Sequence, residues 1–466
     1  MSSTKEGKES IFSKSLSFLI CTIIGLLFLI PYGLRGIEYY YDVAGYLDLS
    51  YCFGERTANG LNFHEFPPSI RGYSMPLVIL LVRKFSSLIG LGEHYRYVFA
   101  LMGVIVVAAF VAYVFPNVLC IAKDDSKDEY LKKVTGSCVV YLLIMIFWRE
   151  FVFLPLTDLY AIICIMTGAV LLSGRRNEFL RWFLAGILLY FAYNLRCSYL
   201  LTTVSIIIVA VIKSISRYKI KGLMCGVASI IGGGAAALPQ VLINYANTGL
   251  ISAKVNYNLT LQILRGGILM SRYDTIVSGT EFPNWGSVDP VGKHVLEEYG
   301  FLNNIPSMSD YFTMVIHRPI QIMTVYLRHL VNMLDYRFGE VFVKHYRPTN
   351  YSFSIINYMI WFVAIVIIIC LIKKERVNYW KIFENHIYLG IIIVFDCINL
   401  AAHMENRFFL PLYLIVYGCL GYDNRVIRDS VIVKKPFWAV CAFLTGLVVC
   451  LMVWTQSFIE IAPYCW

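Results

Sequence analysis

The sequence predicts an all-α polytopic membrane protein with about eleven transmembrane helices and with interfacial helices in the first and fourth outside loops. Of its 466 residues, 58% are hydrophobic and only 15% are charged, whereas soluble domains carry about a quarter charged residues. Apolar runs long enough to cross about 30 Å of hydrocarbon recur along the whole chain. Strands would require regular alternation of polar and apolar residues, and the sequence has no regular array of that kind.

The first span is predicted at about 15–33, after a head that carries lysines. It is too long for the apolar region of a signal peptide and has no A-x-A-like cleavage site, so we interpret it as a retained anchor. The loop that follows, 34–93, contains an apolar helix at about 73–90. Arg83 and Lys84 interrupt this helix, so we place it in the membrane interface rather than across the bilayer.

The other predicted spans follow in order. They lie at about 95–118, 134–150, 159–173, 182–196, 199–213, 223–245, 353–372, 387–402, 408–421 and 437–456. Gly232–Gly234 and Ala235–Ala237 permit close helix packing at 223–245. The outside loop 246–318 is too short for a large extracytoplasmic domain, and the amphipathic segment 319–334 is predicted to be interfacial.

These elements divide the chain into four predicted regions. They are a cytoplasmic N-terminus (1–14), a transmembrane module with the first outside loop (15–245), an extracytoplasmic loop with an interfacial helix (246–352) and a C-terminal transmembrane module (353–466).

The distribution of the net charge of +10 orients the spans. Basic residues cluster in alternate short loops, which the positive-inside rule places in the cytoplasm together with the N-terminus. The clusters are Lys5/Lys8/Lys14, Lys123/Lys127/Lys132/Lys133, Arg175/Arg176/Arg181, Lys213/Arg217/Lys219/Lys221, Lys373/Lys374/Arg376/Lys381 and Arg425/Arg428/Lys434/Lys435. Because the charge is spread over these loops, we expect no nucleic-acid partner. We expect any chemistry on the outer side.

Asp42 is the first candidate catalytic residue, because it follows the first span within a run of tyrosines that includes Tyr39 and Tyr46. Tyrosines at this depth belong to the interfacial belt. A carboxylate that they partly shield from water is suited to act as a general base. The alternative is a solvated Asp that caps a helix starting near Val43. Asp48 is a weaker candidate, since six helical residues turn it about 120° away from Asp42.

Two more ionisable residues lie at the outer ends of spans. Asp158 closes the turn FLPLTD, where it is either a second acid of the same outside cavity or, together with Thr157, a cap of the next span. Arg196 lies in YNLRCSYLL between two short spans. An arginine at that depth needs an anion, so it either snorkels to lipid phosphate or binds a ligand phosphate in bidentate fashion.

A third group precedes the apolar run FFLPLYLIVYG and consists of His403, Glu405 and Arg407. It is either part of a site or a local Glu–Arg pair beside a neutral histidine. A metal site is not favoured, because H-x-E alone lacks the other ligands. Asp396 and Asn399 share one helical face within a span, where an acid is either functional or packed by hydrogen bonding.

The sequence shows no motif for a bound cofactor. It contains no G-x-x-x-x-G-K-[ST], H-E-x-x-H, G-x-S-x-G or G-x-G-x-x-G. Its 13 cysteines are scattered without a C-x-x-C pair and are expected to pack as small apolar residues. We therefore expect no cofactor and no nucleotide energy source, and we leave a divalent metal ion open.

The chain resembles the GT-C superfamily of polytopic glycosyltransferases, in particular the branch of protein O-mannosyltransferases and bacterial lipid A aminoarabinose transferases. The matching motifs are, in chain order, YYDVAGYLDLSY, RGYSMPLVILL, EHYRYVFALMGV, FLPLTD, YNLRCSYLL, LPQVLINYANTG and HMENRFFLPLYL. The first loop and the E-x-R-F-x-x-P turn are the most specific of these motifs.

This resemblance implies an inverting transfer of a sugar from a polyprenyl-phosphate donor on the extracytoplasmic face of the cell membrane. The usual acidic dipeptide of the protein mannosyltransferases is Asp42-Val43 here, and their large lumenal domain is absent. We therefore expect the acceptor to be an envelope glycan, a lipid or a polymer rather than a protein.

The resemblance also implies roles for individual residues. Asp42 is the implied base and Asp158 supports it. The residues implied to hold the donor phosphate are Arg96, Arg196 and Arg407. The residues implied to shape the site are Tyr46, Asp48, His403 and Glu405.

Two other classes of function are consistent with a polytopic membrane protein. A lipid-linked sugar flippase or transporter needs charged groups deep in several spans, and Asp396 is almost the only acid in the middle of one. A non-catalytic membrane scaffold predicts that Asp42, Arg196 and Arg407 can be changed together without a phenotype.

Overall fold

The computed structural model of the chain consists of two compact units. The residues that the structure describes are 2–54, 63, 66, 71–119, 127–174, 179–255, 260–275, 284–334, 351–374, 379–402, 405–422, 443–444, 446–447, 450 and 460–463. Unit 1 contains Met1–Tyr257 and Tyr379–Ile392, and unit 2 contains Asn258–Asn378 and Ile393–Trp466.

Unit 1 is built from helices that follow the apolar segments of the sequence. They are α1 (Ser2–Leu34), α2 (Tyr41–Gly54), α3 (Ser74–Leu88), α4 (Tyr95–Ala109), α5 (Phe115–Val118), α6 (Lys127–Phe153), α7 (Thr157–Ser173), α8 (Phe179–Leu195), α9 (Leu200–Tyr218) and α10 (Ile220–Thr248). A π-helical turn, Phe110–Val114, joins α4 to α5, and 3₁₀ turns at Gly92–His94 and Cys197–Tyr199 precede α4 and α9.

Five helical stretches among the described residues are long and apolar enough to cross a membrane. They are Phe12–Leu34, Gly92–Val118, Leu131–Phe153, Cys197–Tyr218 and Ile220–Thr248. Shorter apolar helices occur at Thr157–Ser173, Phe179–Leu195, Ser352–Ile367 and His386–Ala401. This pattern supports the prediction of a helical, polytopic membrane protein, and the span predicted at 437–456 lies almost entirely outside the described residues.

Close packing of α8 against α10 depends on glycine. A Cβ atom at Gly232 would overlap the backbone oxygen of Phe183, and one at Gly186 would overlap the backbone oxygen of Ser229. The small residues predicted to allow close approach in this span therefore do so at Gly232. This contact fixes the position of α8, whose C-terminal end contributes to the candidate site.

Unit 2 holds helices and a small sheet. The helices are α11 (Thr260–Leu269), α12 (Pro290–Glu298), α13 (Met308–His317), α14 (Pro319–Leu334), α15 (Tyr351–Lys374) and α17 (Leu410–Tyr422), while α16 (Tyr379–Cys397) begins in unit 1. The strands β1 (Met270–Thr275), β2 (Asn284–Val288) and β3 (Glu460–Pro463) pair antiparallel in that order, with Trp285 opposite both Asp274 and Pro463. An all-α fold was predicted, so this sheet is an addition to it.

Two buried polar side chains of unit 2, His329 and Asp396, form hydrogen bonds within the unit. The buried ring of His329 lies between two backbone oxygens, with Nδ1 at 2.6 Å from Leu400 O and Nε2 at 2.8 Å from Met270 O. The amide of Asn399 donates to the buried carboxylate of Asp396 at 3.3 Å, as their shared helical face predicted.

Candidate functional site

Asp42 and Arg71 form the more exposed of two acid–arginine pairs in unit 1. α2 starts at Tyr41, so Asp42 lies in its first turn and not at the N-cap position that a start near Val43 predicted. A negative charge in the first turn interacts favourably with the helix dipole. The Nη2 of Arg71 donates to Asp42 Oδ1 at 2.6 Å, and the two side chains are 26% and 36% exposed. The carboxylate is therefore held in position and remains accessible.

Asp158 and Arg196 form the buried pair. The N-cap residue of α7 is Leu156, so neither Thr157 nor Asp158 has the capping role that was the alternative to a role in a site. Arg196 lies just after α8 in an extended conformation, and its guanidinium donates directly to Asp158 Oδ1. The Asp158 side chain is 2% exposed and that of Arg196 is 17% exposed. The protein itself thus supplies an anion to Arg196, which is the balance that a buried charge requires.

Tyr46 connects the two pairs. Its hydroxyl lies 3.4 Å from Thr157 Oγ1, next to Asp158 in the chain, and the Arg71 guanidinium lies 5.4 Å from its ring centroid. Burial is the main cause that raises the pKa of Tyr46 to about 12, and the negative charges of Asp42 and Asp158 add to it. The phenol is therefore neutral at physiological pH, and it acts as a spacer between two charged pairs and not as a base.

A buried amide network positions both arginines. Asn194 Oδ1 accepts from Ser74 N at 2.9 Å and from Ser74 Oγ at 2.7 Å, and Asn194 Nδ2 donates to Gln240 Oε1 at 2.9 Å. Gly72 permits this approach, since a Cβ atom there would overlap the backbone oxygen of Asn194. Arg71 precedes Gly72, and Arg196 follows Asn194 by two residues. One set of hydrogen bonds therefore fixes the chain on both sides of the site.

Arg96 lies in a separate group of arginines and tyrosines. Its Nη1 donates to Ile37 O at 3.0 Å, and its guanidinium lies 4.9 Å from the ring centroid of Tyr39 and 5.9 Å from that of Tyr95. Arg83 also reaches Tyr95, at 5.9 Å. Burial raises the pKa of Tyr39. Within the described part of the chain, no hydrogen bond or ion pair joins Arg96 to Asp42 or Asp158, so its implied role with the donor phosphate stays a prediction.

The other predicted site residues lie apart from the two pairs. Asp48 is exposed on α2. In unit 2, Glu405 and Arg407 form the local pair that was one alternative, with Nε and Oε2 2.6 Å apart and Nη2 and Oε1 3.1 Å apart. His403 lies outside the described residues. The structure thus brings together four predicted residues, namely Asp42, Tyr46, Asp158 and Arg196.

The arrangement combines an accessible carboxylate with two guanidinium groups. Each guanidinium has five N–H donors in a planar fork, a geometry that matches phosphate oxygens. The accessible acid supplies a proton acceptor beside them. Among the residues that the structure describes, no three His, Cys, Asp or Glu side chains are grouped so that they could hold a metal ion. The site residues therefore fit base catalysis together with anion binding.

Arg71 is the member of the site that the sequence analysis missed. It begins the motif RGYSMPLVILL, so it lay within a segment already associated with the first loop. Nothing in the spacing of 29 residues indicates that it pairs with Asp42. The signal available was chemical, because an arginine in the predicted loop 34–93 is a natural partner for the acid of the same loop.

Comparison of the chain with protein-family models, with curated proteins and with solved structures finds no match. Any proposal about function therefore rests on the residues of the site.

Proposed function

We propose that the protein is a membrane glycosyltransferase that moves a sugar from a polyprenyl-phosphate donor to an envelope glycan, lipid or polymer, with inversion at the anomeric carbon. The observation that carries the proposal is the convergence of two acid–arginine pairs through Tyr46 and Thr157. The residues involved come from four distant segments of the chain. They meet at the N-terminal end of the apolar helix α7. We place this end at the edge of the membrane, where a lipid-linked donor would be accessible.

The two acids have different roles in this proposal, because their side chains differ in exposure. The Asp42 side chain is 36% exposed and that of Asp158 only 2%. A base has to reach the proton that it removes, so Asp42 is the catalytic base. Asp158 orients Arg196 and is a positioning residue. The Arg71 guanidinium holds the Asp42 carboxylate and stays close to the reacting atoms.

The reaction requires one proton transfer. The Asp42 carboxylate takes the proton of an acceptor hydroxyl as that oxygen attacks the anomeric carbon of the donor sugar. The bond between the anomeric carbon and the phosphate oxygen breaks, and polyprenyl phosphate leaves with the electron pair. This leaving group is already a stabilised anion, so no acid catalyst is needed. Guanidinium groups that bind it stabilise the developing charge.

The extracytoplasmic location belongs to the same proposal. Asp158 lies at the start of α7, and Ser173 lies at the other end of the same helix, close to the basic loop Arg175/Arg176/Arg181. The positive-inside rule places that loop in the cytoplasm, which leaves Asp42 and Asp158 on the outer side. Arg96 and Arg407 remain further proposed ligands of the donor phosphate.

The test is an assay with the purified protein in proteoliposomes that contain polyprenyl-phosphate sugars with a radioactive label on the sugar. Envelope lipids and glycans from the producing cells are supplied as acceptors. The proposal predicts label on an acceptor and an equal amount of released polyprenyl phosphate. Label that crosses the bilayer while still attached to polyprenyl phosphate would establish the flippase alternative instead. If the protein neither transfers the sugar of any donor nor moves the donor across the bilayer, a non-catalytic scaffold is favoured.

A further inference from the structure

Unit 1 also contains a cavity at the end of α7 opposite to Asp158. Its volume is about 550 Å³, and it is lined by the C-terminal ends of α5, α7 and α9 and by the first part of the apolar helix that starts at His386. The 17 residues of α7 separate the two regions by about 25 Å. The cavity is therefore distinct from the site of Asp42 and Asp158.

The charge of the cavity wall is positive. Lys213 and Arg217 both line it from α9, and none of the lining residues is acidic in the part of the chain that the structure describes. The Lys213 ammonium lies 5.6 Å from the ring centroid of Tyr388, which holds it against the wall. Two cations on one wall favour an anion that both can contact.

A buried hydroxyl gives a second, independent indication of a ligand. Ser214 lines the cavity, is only 6% exposed, and its Oγ has no hydrogen-bond partner among the described residues. A buried hydroxyl without a partner is unfavourable, so it marks a place where a polar ligand atom is expected. Arg217, three residues after Ser214, lies on the same side of α9 and lines the same cavity.

We propose that this cavity binds a phosphate group that carries net negative charge, either the headgroup of an anionic lipid or free phosphate. Three residues with donors of different kinds line it, namely Lys213, Ser214 and Arg217. Apolar side chains such as Leu172 and Ile392 line the same cavity, which suits a headgroup that enters from the bilayer. Basic pockets between membrane helices bind lipid phosphates in this way.

Arg217 has a second role that the test has to separate. It lies in the last turn of α9, where a cation also stabilises the helix dipole. That role alone predicts that Arg217→Gln lowers stability equally with and without phosphate. A phosphate site predicts a change in ligand affinity in addition.

The experiment uses the full-length protein in neutral detergent and measures binding of phosphatidylglycerol, phosphatidylcholine and inorganic phosphate by native mass spectrometry and by the thermal unfolding midpoint. The matched control is the pair Lys219→Gln and Lys221→Gln, which removes the same charge from exposed positions of the same basic cluster. We expect Lys213→Gln with Arg217→Gln to weaken phosphatidylglycerol binding by at least about tenfold, since hydrogen bonds to charged groups are strong. The control pair changes it by less than about twofold, because neither Lys219 nor Lys221 lines the cavity.

Ser214→Ala provides a readout that a purely structural role would not produce. We expect an unchanged or higher unfolding midpoint without ligand, and a several-fold weaker response to phosphatidylglycerol. If inorganic phosphate raises the unfolding midpoint, and if this increase is lost with Lys213→Gln and Arg217→Gln as the effect of the lipid is, the cavity binds free phosphate. If only the lipid does so, the headgroup is the ligand. Equal losses in the control pair, or no preference for phosphatidylglycerol over phosphatidylcholine in the unaltered protein, would overturn the proposal.

Discussion

Asp158→Asn tests the buried pair most sharply, because it removes the charge and keeps the shape of the side chain. Asp158 is 2% exposed and Arg196 17%, so the substitution leaves a largely buried guanidinium without its carboxylate. Breaking one partner of a buried pair costs about 3–5 kcal/mol. Asp42 and Arg71 are 36% and 26% exposed, and a solvent-exposed pair contributes only about 0.2–1 kcal/mol. The two substitutions should therefore differ by about 2 kcal/mol or more.

The assay is thermal unfolding of the purified variants in one detergent. A loss of about 3 kcal/mol lowers the midpoint of a cooperative domain of 150–250 residues by roughly 6–12 °C. Asp42→Asn should shift it by no more than about 4 °C. Asp158→Leu combined with Arg196→Met should recover stability relative to Asp158→Asn, since apolar residues often replace a buried pair without loss. Equal small shifts for Asp158→Asn and Asp42→Asn would refute the assignment of the buried pair.

Two further predictions concern the groups around the pairs. Asn194→Leu removes three hydrogen bonds and leaves the Ser74 N–H, the Ser74 hydroxyl and Gln240 Oε1 without their partner. The substitution should lower the free energy of unfolding, measured by thermal unfolding, by at least about 3 kcal/mol. A change below about 1 kcal/mol would contradict the network. The pKa of Tyr46 is raised to about 12 from 10.0, so its contribution to stability is complete below pH 10 and is lost as the pH rises to about 12. As the pH rises from 10 to 12, the free energy of unfolding should therefore fall by roughly 1–3 kcal/mol less in Tyr46→Phe than in the unaltered protein. Parallel pH profiles of the two proteins would contradict the burial of the phenol.

The composition of the candidate site was predictable in part, because the basic loops of the sequence predict which ends of the spans lie on the same side of the membrane. Asp42, Asp158 and Arg196 all follow or precede apolar spans on the side away from the basic loops, so their convergence was expected. Arg71 was not, since its distance from Asp42 depends on how 29 residues of loop and helix fold back. The capping roles that were alternatives for Asp42 and Asp158 are not observed, for a related reason. Both helices begin earlier than the apolar pattern indicates, and tertiary ion pairs use the acids instead.

The sheet of unit 2 shows where local patterns are insufficient. β3 comes from Glu460–Pro463 and pairs with β2 at Asn284–Val288, so the strand order depends on contacts between distant parts of the chain. Short strands of this kind have no periodicity long enough to be recognised. Long apolar helices such as α10 are recognisable from their length and composition alone, which is why the helical membrane architecture was predicted and the sheet was not.

The rate of sugar transfer in Asp42→Asn tests the central claim most directly. The substitution removes the proton acceptor and retains a side chain of the same size. Glu93→Gln is the matched control, because Glu93 is an exposed acid of the same predicted loop, 34–93. Asp48→Asn tests the rival base on α2. With equal amounts of inserted protein and one polyprenyl-phosphate sugar, transfer should fall at least about 100-fold in Asp42→Asn, the loss expected for a missing general base, and should persist in the other two variants. Transfer by Asp42→Asn at the rate of the unaltered protein would contradict the account.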